Sequence, residues 1–153
     1  MKIAKFNKIF FSLLLTSFGI ASIAWAGIPG TQGDHPYYLH ALSDLRAARW
    51  MIEHRPGNWE QTMDEIEAVK QIDAAIKEIR TAAIEDGKDI NDHPKADEHP
   101  DHMGRLHDAL AFLRKARKDI SHDEDNQFAE GLQGRAYLHI DAAINATKRA
   151  VNQ

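Results

Sequence analysis

Histidine is the residue type with the clearest chemical potential, because the 153-residue sequence contains nine histidines and no cysteine. Three histidines stand in one local pattern, an acidic residue, histidine and proline: Asp34-His35-Pro36, Asp92-His93-Pro94 and Glu98-His99-Pro100. A residue before proline is pushed toward an extended conformation, so each imidazole is expected to project from stiff, non-helical backbone beside a carboxylate. Imidazole and carboxylate ligands without thiolate suit Zn, Cu(II) or Ni. The triplets therefore predict a transition-metal site.

The composition argues against several other kinds of function. Without cysteine, the chain has no thiolate metal site, thiol nucleophile or disulfide. It also lacks a Gly-rich phosphate loop, a G-x-S-x-G motif and an H-E-x-x-H motif. A formal net charge of -4 argues against nucleic-acid binding, whose affinity comes mostly from Lys and Arg. We therefore expect no catalysis and no nucleic-acid partner.

Residues 1–26 have the pattern of a secretory signal peptide. Lys2, Lys5 and Lys8 form a basic start, residues 9–23 form an apolar run, and Ala24-Trp25-Ala26 is a small-x-small cleavage site. We expect an exported protein, periplasmic or extracellular, with no stable membrane span after cleavage and a flexible start at residues 27–33. Removal of three lysines leaves 16 basic and 23 acidic residues, a formal charge of -7, and all nine histidines.

The chain repeats itself at an offset of 68 residues. Ala41 to Arg49 aligns with Ala109 to Arg117, and Ile72 to Ile76 aligns with Ile140 to Ile144; residues 41–85 contain 16 identities in 45 positions. This register predicts a duplicated helical hairpin. The repeat also aligns Asp73 with Asp141. Each of these carboxylates could support an imidazole or a metal, or could form an ion pair on the flank of a helix, which is the favoured interpretation.

Four stretches place apolar residues at helical spacing. They are Tyr38 to Ile52, about Trp59 to Glu85, Leu106 to Ile120, and Leu132 to Val151. This pattern predicts an all-α protein, an antiparallel up-down-up-down four-helix bundle over residues 34–153. Hairpin one covers about 35–86, a connector covers 87–100, and hairpin two covers about 101–152.

In that topology, helices one and three start at the same end of the bundle, where the connector also lies. The candidate metal ligands collected there are His35, His40, His93, His99, His102, His107, Asp34, Asp92 and Asp101. His54 and His122 are expected together at the opposite end. The competing interpretation is that these acidic residues and histidines only cap helices, with His54 and His122 as cations at helix C-termini.

Two functions follow from these patterns. The first is an exported, non-enzymatic bundle whose His/Asp-rich end binds Zn, Cu or Ni for buffering or sensing. The second is an envelope protein-interaction or stress-protection module with pH-responsive histidines and no specific metal. The second predicts a melting temperature that falls between about pH 7 and 5, where histidine titrates.

Overall fold

The structure is a computed structural model that describes residues 37–55, 57, 60–97 and 104–153. The predicted signal peptide, residues 27–33 and five candidate ligands, His35, His99, His102, Asp34 and Asp101, lie outside the described residues. The regular elements are four helices, α1 (Tyr38–Glu53), α2 (Met63–Glu85), α3 (Arg105–Asp119) and α4 (Gln127–Val151), with no strand in the described part. The prediction of an all-α protein with four helices is confirmed.

Polar side chains determine where α2 and α4 begin. The Thr62 hydroxyl accepts the Glu65 N–H at 3.2 Å, and the Glu65 carboxylate accepts the Thr62 N–H at 2.8 Å. This capping box starts α2 at Met63, a few residues after the predicted start near Trp59. Asn126 caps α4 by accepting the Phe128 N–H at 3.0 Å.

Two hydrogen bonds between α1 and α3 show that these helices run in opposite directions. The Tyr37 N–H, just before α1, donates to the carbonyl of Asp119, the last residue of α3, at 2.9 Å. Arg105, the first residue of α3, donates to the carbonyl of Ile52, near the end of α1, at 3.0 Å. We call these two ends of the bundle the Asp119 end and the Arg105 end.

Helices α2 and α4 are antiparallel as well. At the Asp119 end, the Asn126 side-chain amide donates to the carbonyl of Glu85, the last residue of α2, at 2.9 Å. At the Arg105 end, Arg149 near the end of α4 pairs with Asp64 near the start of α2 at 2.7 Å. Helix α1 packs on α2 and α3, and α4 packs on the same two helices. Neighbours are therefore antiparallel, whereas α2 and α3 run parallel to each other.

The predicted up-down-up-down order is therefore wrong. The chain between α2 and α3 crosses from the Asp119 end to the Arg105 end, because both helices point the same way. Residues 86–104 separate the two helices. A connection of this length, extended at about 3.3 Å per residue, exceeds the roughly 24 Å length of a 16-residue helix. Chain length therefore permits a crossover as readily as a turn.

The core consists mostly of small and β-branched side chains. Its alanines are Ala41, Ala48, Ala68, Ala75, Ala82, Ala83, Ala109, Ala116, Ala129, Ala136, Ala143 and Ala146. Larger residues such as Leu45, Ile72 and Leu113 fill the remaining space and are fully buried. The apolar faces follow the predicted helical spacing, except that Ile66 is 44% exposed. No helix in the described ranges combines the length and apolarity needed to cross a membrane.

Residues at equivalent positions of the predicted repeat make equivalent contacts. Arg49 Nε lies 2.7 Å from Asp73 Oδ1, and Arg117 Nε lies 2.5 Å from Asp141 Oδ1. These contacts confirm the ion-pair interpretation of both aspartates. Gln71 and His139, which are also 68 residues apart, bond to each other at 2.7 Å between α2 and α4.

Candidate functional site

The structure separates two of the predicted metal ligands. His40 is the third residue of α1 and lies toward the Asp119 end, whereas His107 is the third residue of α3 and lies toward the Arg105 end. Most of the length of α1, about 24 Å for 16 residues, lies between these levels. The prediction that both lie at one end is wrong, because it assumed that helices one and three start together.

The other described candidates lie on the chain that follows α2. His93 Nδ1 is 3.2 Å from Arg46 Nη1, and both side chains are exposed. Because a guanidinium only donates, this contact uses the Nδ1 lone pair that a metal would need. Asp92 is exposed, and its N–H donates to the Asp89 carbonyl at 3.0 Å. Within the described ranges, no group of three or more His, Asp or Glu residues could hold a metal ion.

The Asp119 end brings together a different pair of histidines. The Tyr37 ring makes edge contacts with His122 at a centroid distance of 4.9 Å and with His40 at 6.4 Å. Burial and the Asp97 carboxylate raise the pKa of Asp119, while His40 and His122 act in the opposite direction. His122 thus lies at the end where α1 starts. The prediction that it shares an end with His54 is wrong, since α1 and α3 finish at opposite ends.

His54 behaves as the capping interpretation predicts. It is the C-cap of α1, and its Nδ1 bonds to the Trp50 carbonyl at 3.0 Å. Its ring stacks on the exposed Trp50 indole at 4.2 Å between centroids. The side chain thus closes the end of α1.

A surface depression of about 540 Å³ lies beside the α3–α4 turn at the Asp119 end. Gln133 shapes it by donating to the carbonyls of Ile120 and His122, each at 2.7 Å. Asp123, Glu124 and Glu130 are among its lining residues and make it acidic. The Glu124 carboxylate accepts hydrogen bonds from the buried Tyr38 hydroxyl and the Asn126 N–H, so it serves in part to hold this end together.

One buried titratable group in the described part, Asp44, was not among the predicted site residues. Asp44 is 1% exposed, and its Oδ1 accepts the Asp97 N–H at 2.7 Å. Burial raises the pKa of Asp44 to about 6; the Asp97 amide and Lys115 oppose the rise, whereas the carboxylates of Asp97 and Asp119 add to it. Asp44 is therefore a buried acid that is poorly compensated when it ionises.

Two sequence signals point to Asp44. It occupies the i+3 position of the apolar stripe formed by Ala41, Leu45 and Ala48, where an acidic side chain is out of place. Its repeat-equivalent position, 68 residues further on, holds the buried Phe112. An acid that replaces a core phenylalanine is therefore the signal that sequence reasoning missed.

A second buried acid, Glu65, has the opposite surroundings. It is 2% exposed and forms an ion pair with Arg105, which also donates to the Ile52 carbonyl. Burial alone would raise the pKa of Glu65, but the Thr62 N–H and the Arg105 guanidinium outweigh it and hold the pKa below its usual value. Glu65 therefore ties three helices together as a carboxylate.

The chain matches no protein-family model, no curated protein and no solved structure. The class that the structure defines is an all-α protein of four packed helices.

Proposed function

We propose that the chain is an exported, non-enzymatic helical bundle that serves as a protein-interaction module of the cell envelope, with histidines that reverse its charge at acid pH. The observation that supports this most is the dispersal of the four exposed histidines in the described residues. His40 lies near the start of α1, His54 is the C-cap of α1, His93 lies between α2 and α3, and His107 lies near the start of α3. Dispersed surface imidazoles change the charge of a whole surface, whereas a metal site requires them to converge.

Protonation of the nine histidines is sufficient to change the sign of the net charge. With neutral histidines the chain carries a formal charge of -4, and protonation of all nine takes it to +5. Without the predicted leader, the corresponding values are -7 and +2. Because histidine titrates between about pH 5 and 8, the protein repels acidic partners at neutral pH and loses that repulsion on mild acidification.

The transition-metal function has less support. His40 and His107 lie toward opposite ends, and His93 Nδ1 contacts a guanidinium. Binding of Zn, Cu or Ni then depends on His35, His99 and His102, which lie outside the described residues. Metal binding stays a prediction that a titration with each ion can test.

A duplicated hairpin is also part of the proposal. Its support is that the Arg49–Asp73 and Arg117–Asp141 pairs recur at the repeat offset of 68 residues. The packing of α1 on α3 and of α2 on α4 places equivalent helices side by side. We propose that one ancestral hairpin supplied both halves.

The charge proposal is tested with a variant in which the four exposed histidines, His40, His54, His93 and His107, are changed to Gln. Without the leader, this variant has 16 basic residues and five histidines against 23 acids, so its formal charge stays at -2 or below. Immobilised polyglutamate represents an acidic protein surface. Wild type is expected to bind it at least about tenfold more tightly at about pH 5 than at about pH 7.5, and the variant is expected to lose this gain.

The matched control carries Lys at the same four positions. It keeps the positive charge at acid pH but removes the imidazoles, so it should bind polyglutamate at about pH 5 as wild type does. Equal binding of wild type at both pH values would contradict the proposal. So would acid-dependent binding that persists unchanged in the Gln variant.

A further inference from the structure

The described chain between α2 and α3 includes a segment that lies across α1. We call residues 90–97 the strap. The Ser43 hydroxyl donates to the Pro94 carbonyl at 2.6 Å, which fixes the middle of the strap to α1. Ile90 and Ala96 pack against the hydrophobic core. The strap is therefore docked by two side-chain hydrogen bonds, from Ser43 to the Pro94 carbonyl and from Arg46 to His93, and by a small apolar contact, in addition to its contact with Asp44.

The contact with Asp44 is made by only one of the two carboxylate oxygens. Oδ1 accepts the Asp97 N–H at 2.7 Å, whereas none of the described residues provides a hydrogen-bond partner for the buried Oδ2. A buried carboxylate with an unsatisfied oxygen is costly when it is charged. A proton on Oδ2 removes the charge and leaves Oδ1 free to accept the strap amide.

The charged groups that face Asp44 do not compensate its charge. They are Asp97 from the strap and Asp119 and Lys115 from α3, while His40 lies one turn earlier on α1. Lys115 Nζ already lies 3.6 Å from Asp97 Oδ2. Ionisation of Asp44 therefore places a third carboxylate beside one shared lysine, at the position where the strap docks.

We propose that the strap is a pH-gated element, which docks firmly on α1 while Asp44 is protonated and is loosened when Asp44 ionises. This inference rests on the proposed function for its biological role and deepens it, because it names the place in the fold where pH acts. The direction of the pH dependence follows from the linkage between docking of the strap and proton binding by Asp44. The pKa of Asp44 is about 6 in the docked state and 3.8 as its ordinary value, so docking is favoured at acid pH, weakens as the pH rises from about 4 to about 6, and changes little above that.

The test is native-state hydrogen exchange of the Asp97 amide, expressed as a protection factor so that the intrinsic effect of pH is removed. In wild type, this protection is expected to be about tenfold higher near pH 5 than near pH 7.5, because part of the change set by pKa values of 3.8 and about 6 already lies below pH 5. In Asp44→Asn, which keeps the acceptor oxygen but cannot ionise, the protection factor should be the same at both pH values. Amides of α4 serve as the reference for global unfolding.

Ser43→Ala is the matched control. It removes the Pro94 contact without removing a titratable group, so it should lower Asp97 protection by the same factor at both pH values and keep the pH dependence. If Asp44→Asn does not fold, Asp97→Asn replaces it: removal of the facing carboxylate should reduce the ratio between the two pH values.

Three results would overturn the inference. They are equal wild-type protection at both pH values, an unchanged ratio in the acid-to-amide variant that folds, and an equal loss of protection in the α4 amides. Failure of the proposed function is seen separately. If pH-dependent strap protection persists while polyglutamate binding shows no acid dependence, the strap inference stands and the interaction module is contradicted.

Discussion

Two buried carboxylates of this protein respond to pH in opposite ways. Glu65 is held in its charged form by Arg105 and the Thr62 N–H, so the stability it contributes is lost as the pH falls below its usual range. Asp44 has a raised pKa of about 6, so its protonated form is the stabilising one and that stability is lost as the pH rises. At the scale of single residues, the pH response therefore depends on whether the buried acid has a cationic partner.

Replacement of Asp44 should stabilise the protein at neutral pH. Asp44→Asn removes a buried charge, and the difference between about 6 and 3.8 sets an upper limit of about 3 kcal/mol on the gain in unfolding free energy. Urea denaturation near pH 7.5 measures this gain, which should vanish near pH 4. Asp73→Asn is the control, because that half-exposed carboxylate forms a surface ion pair and should give a small loss. A destabilised Asp44→Asn protein at neutral pH would contradict this interpretation.

Loss of Arg105 should be among the more damaging single changes. Arg105→Ala leaves Glu65 buried without its guanidinium and removes the bond to the Ile52 carbonyl, at a cost of about 2–4 kcal/mol. Arg117→Ala breaks a half-exposed ion pair with Asp141 and should cost about 1 kcal/mol or less. Chemical denaturation of both variants near pH 7 provides the comparison. Equal losses of unfolding free energy would show that the buried Arg105–Glu65 pair contributes no more stability than the half-exposed Arg117–Asp141 pair.

The sequence predicted the four helices of the fold better than it predicted their directions. The apolar spacing locates all four helices, because one buried face imposes the same period wherever a helix packs. The start of α2 was also readable from the capping-box spacing of Thr62 and Glu65, although the prediction placed it near Trp59. The direction of the helices could not be read from the sequence, because an apolar stripe looks the same for parallel and antiparallel neighbours. This error in direction also displaced the predicted histidine cluster.

The order of the helices can be measured directly, because the sequence contains no cysteine to interfere with labelling. Spin labels on cysteines placed at His54 and His122 mark the end of α1 and the turn after α3. The antiparallel α1–α3 packing places them about 25 Å apart, roughly the length of α1. An up-down-up-down bundle would place them at one end, at about 10–15 Å. A short distance would therefore overturn the crossover topology.

At the scale of the whole molecule, the histidines act on surface charge while the buried acids act on stability. In the sequence analysis, the second function predicted a melting temperature that falls on acidification, because that interpretation considered only histidine. The structure reverses the expected sign, since Asp44 and Asp119 both have raised pKa values and so stabilise the fold when protonated. Removal of negative charge from an acidic chain acts in the same direction. Mild acidification is thus expected to stabilise the bundle while its net surface charge changes sign.

The most direct test is the unfolding free energy of the leader-free wild-type protein from about pH 7.5 to pH 4. Stability is expected to rise as the pH falls from about 7 to 5, while Asp44 and Asp119 take up protons, and to fall again below the usual range of Glu65. Constant ionic strength keeps the screening of surface pairs the same across the series. A steady loss of stability from about pH 7.5 to 5 would show that buried carboxylates do not control the pH response and would contradict the central claim.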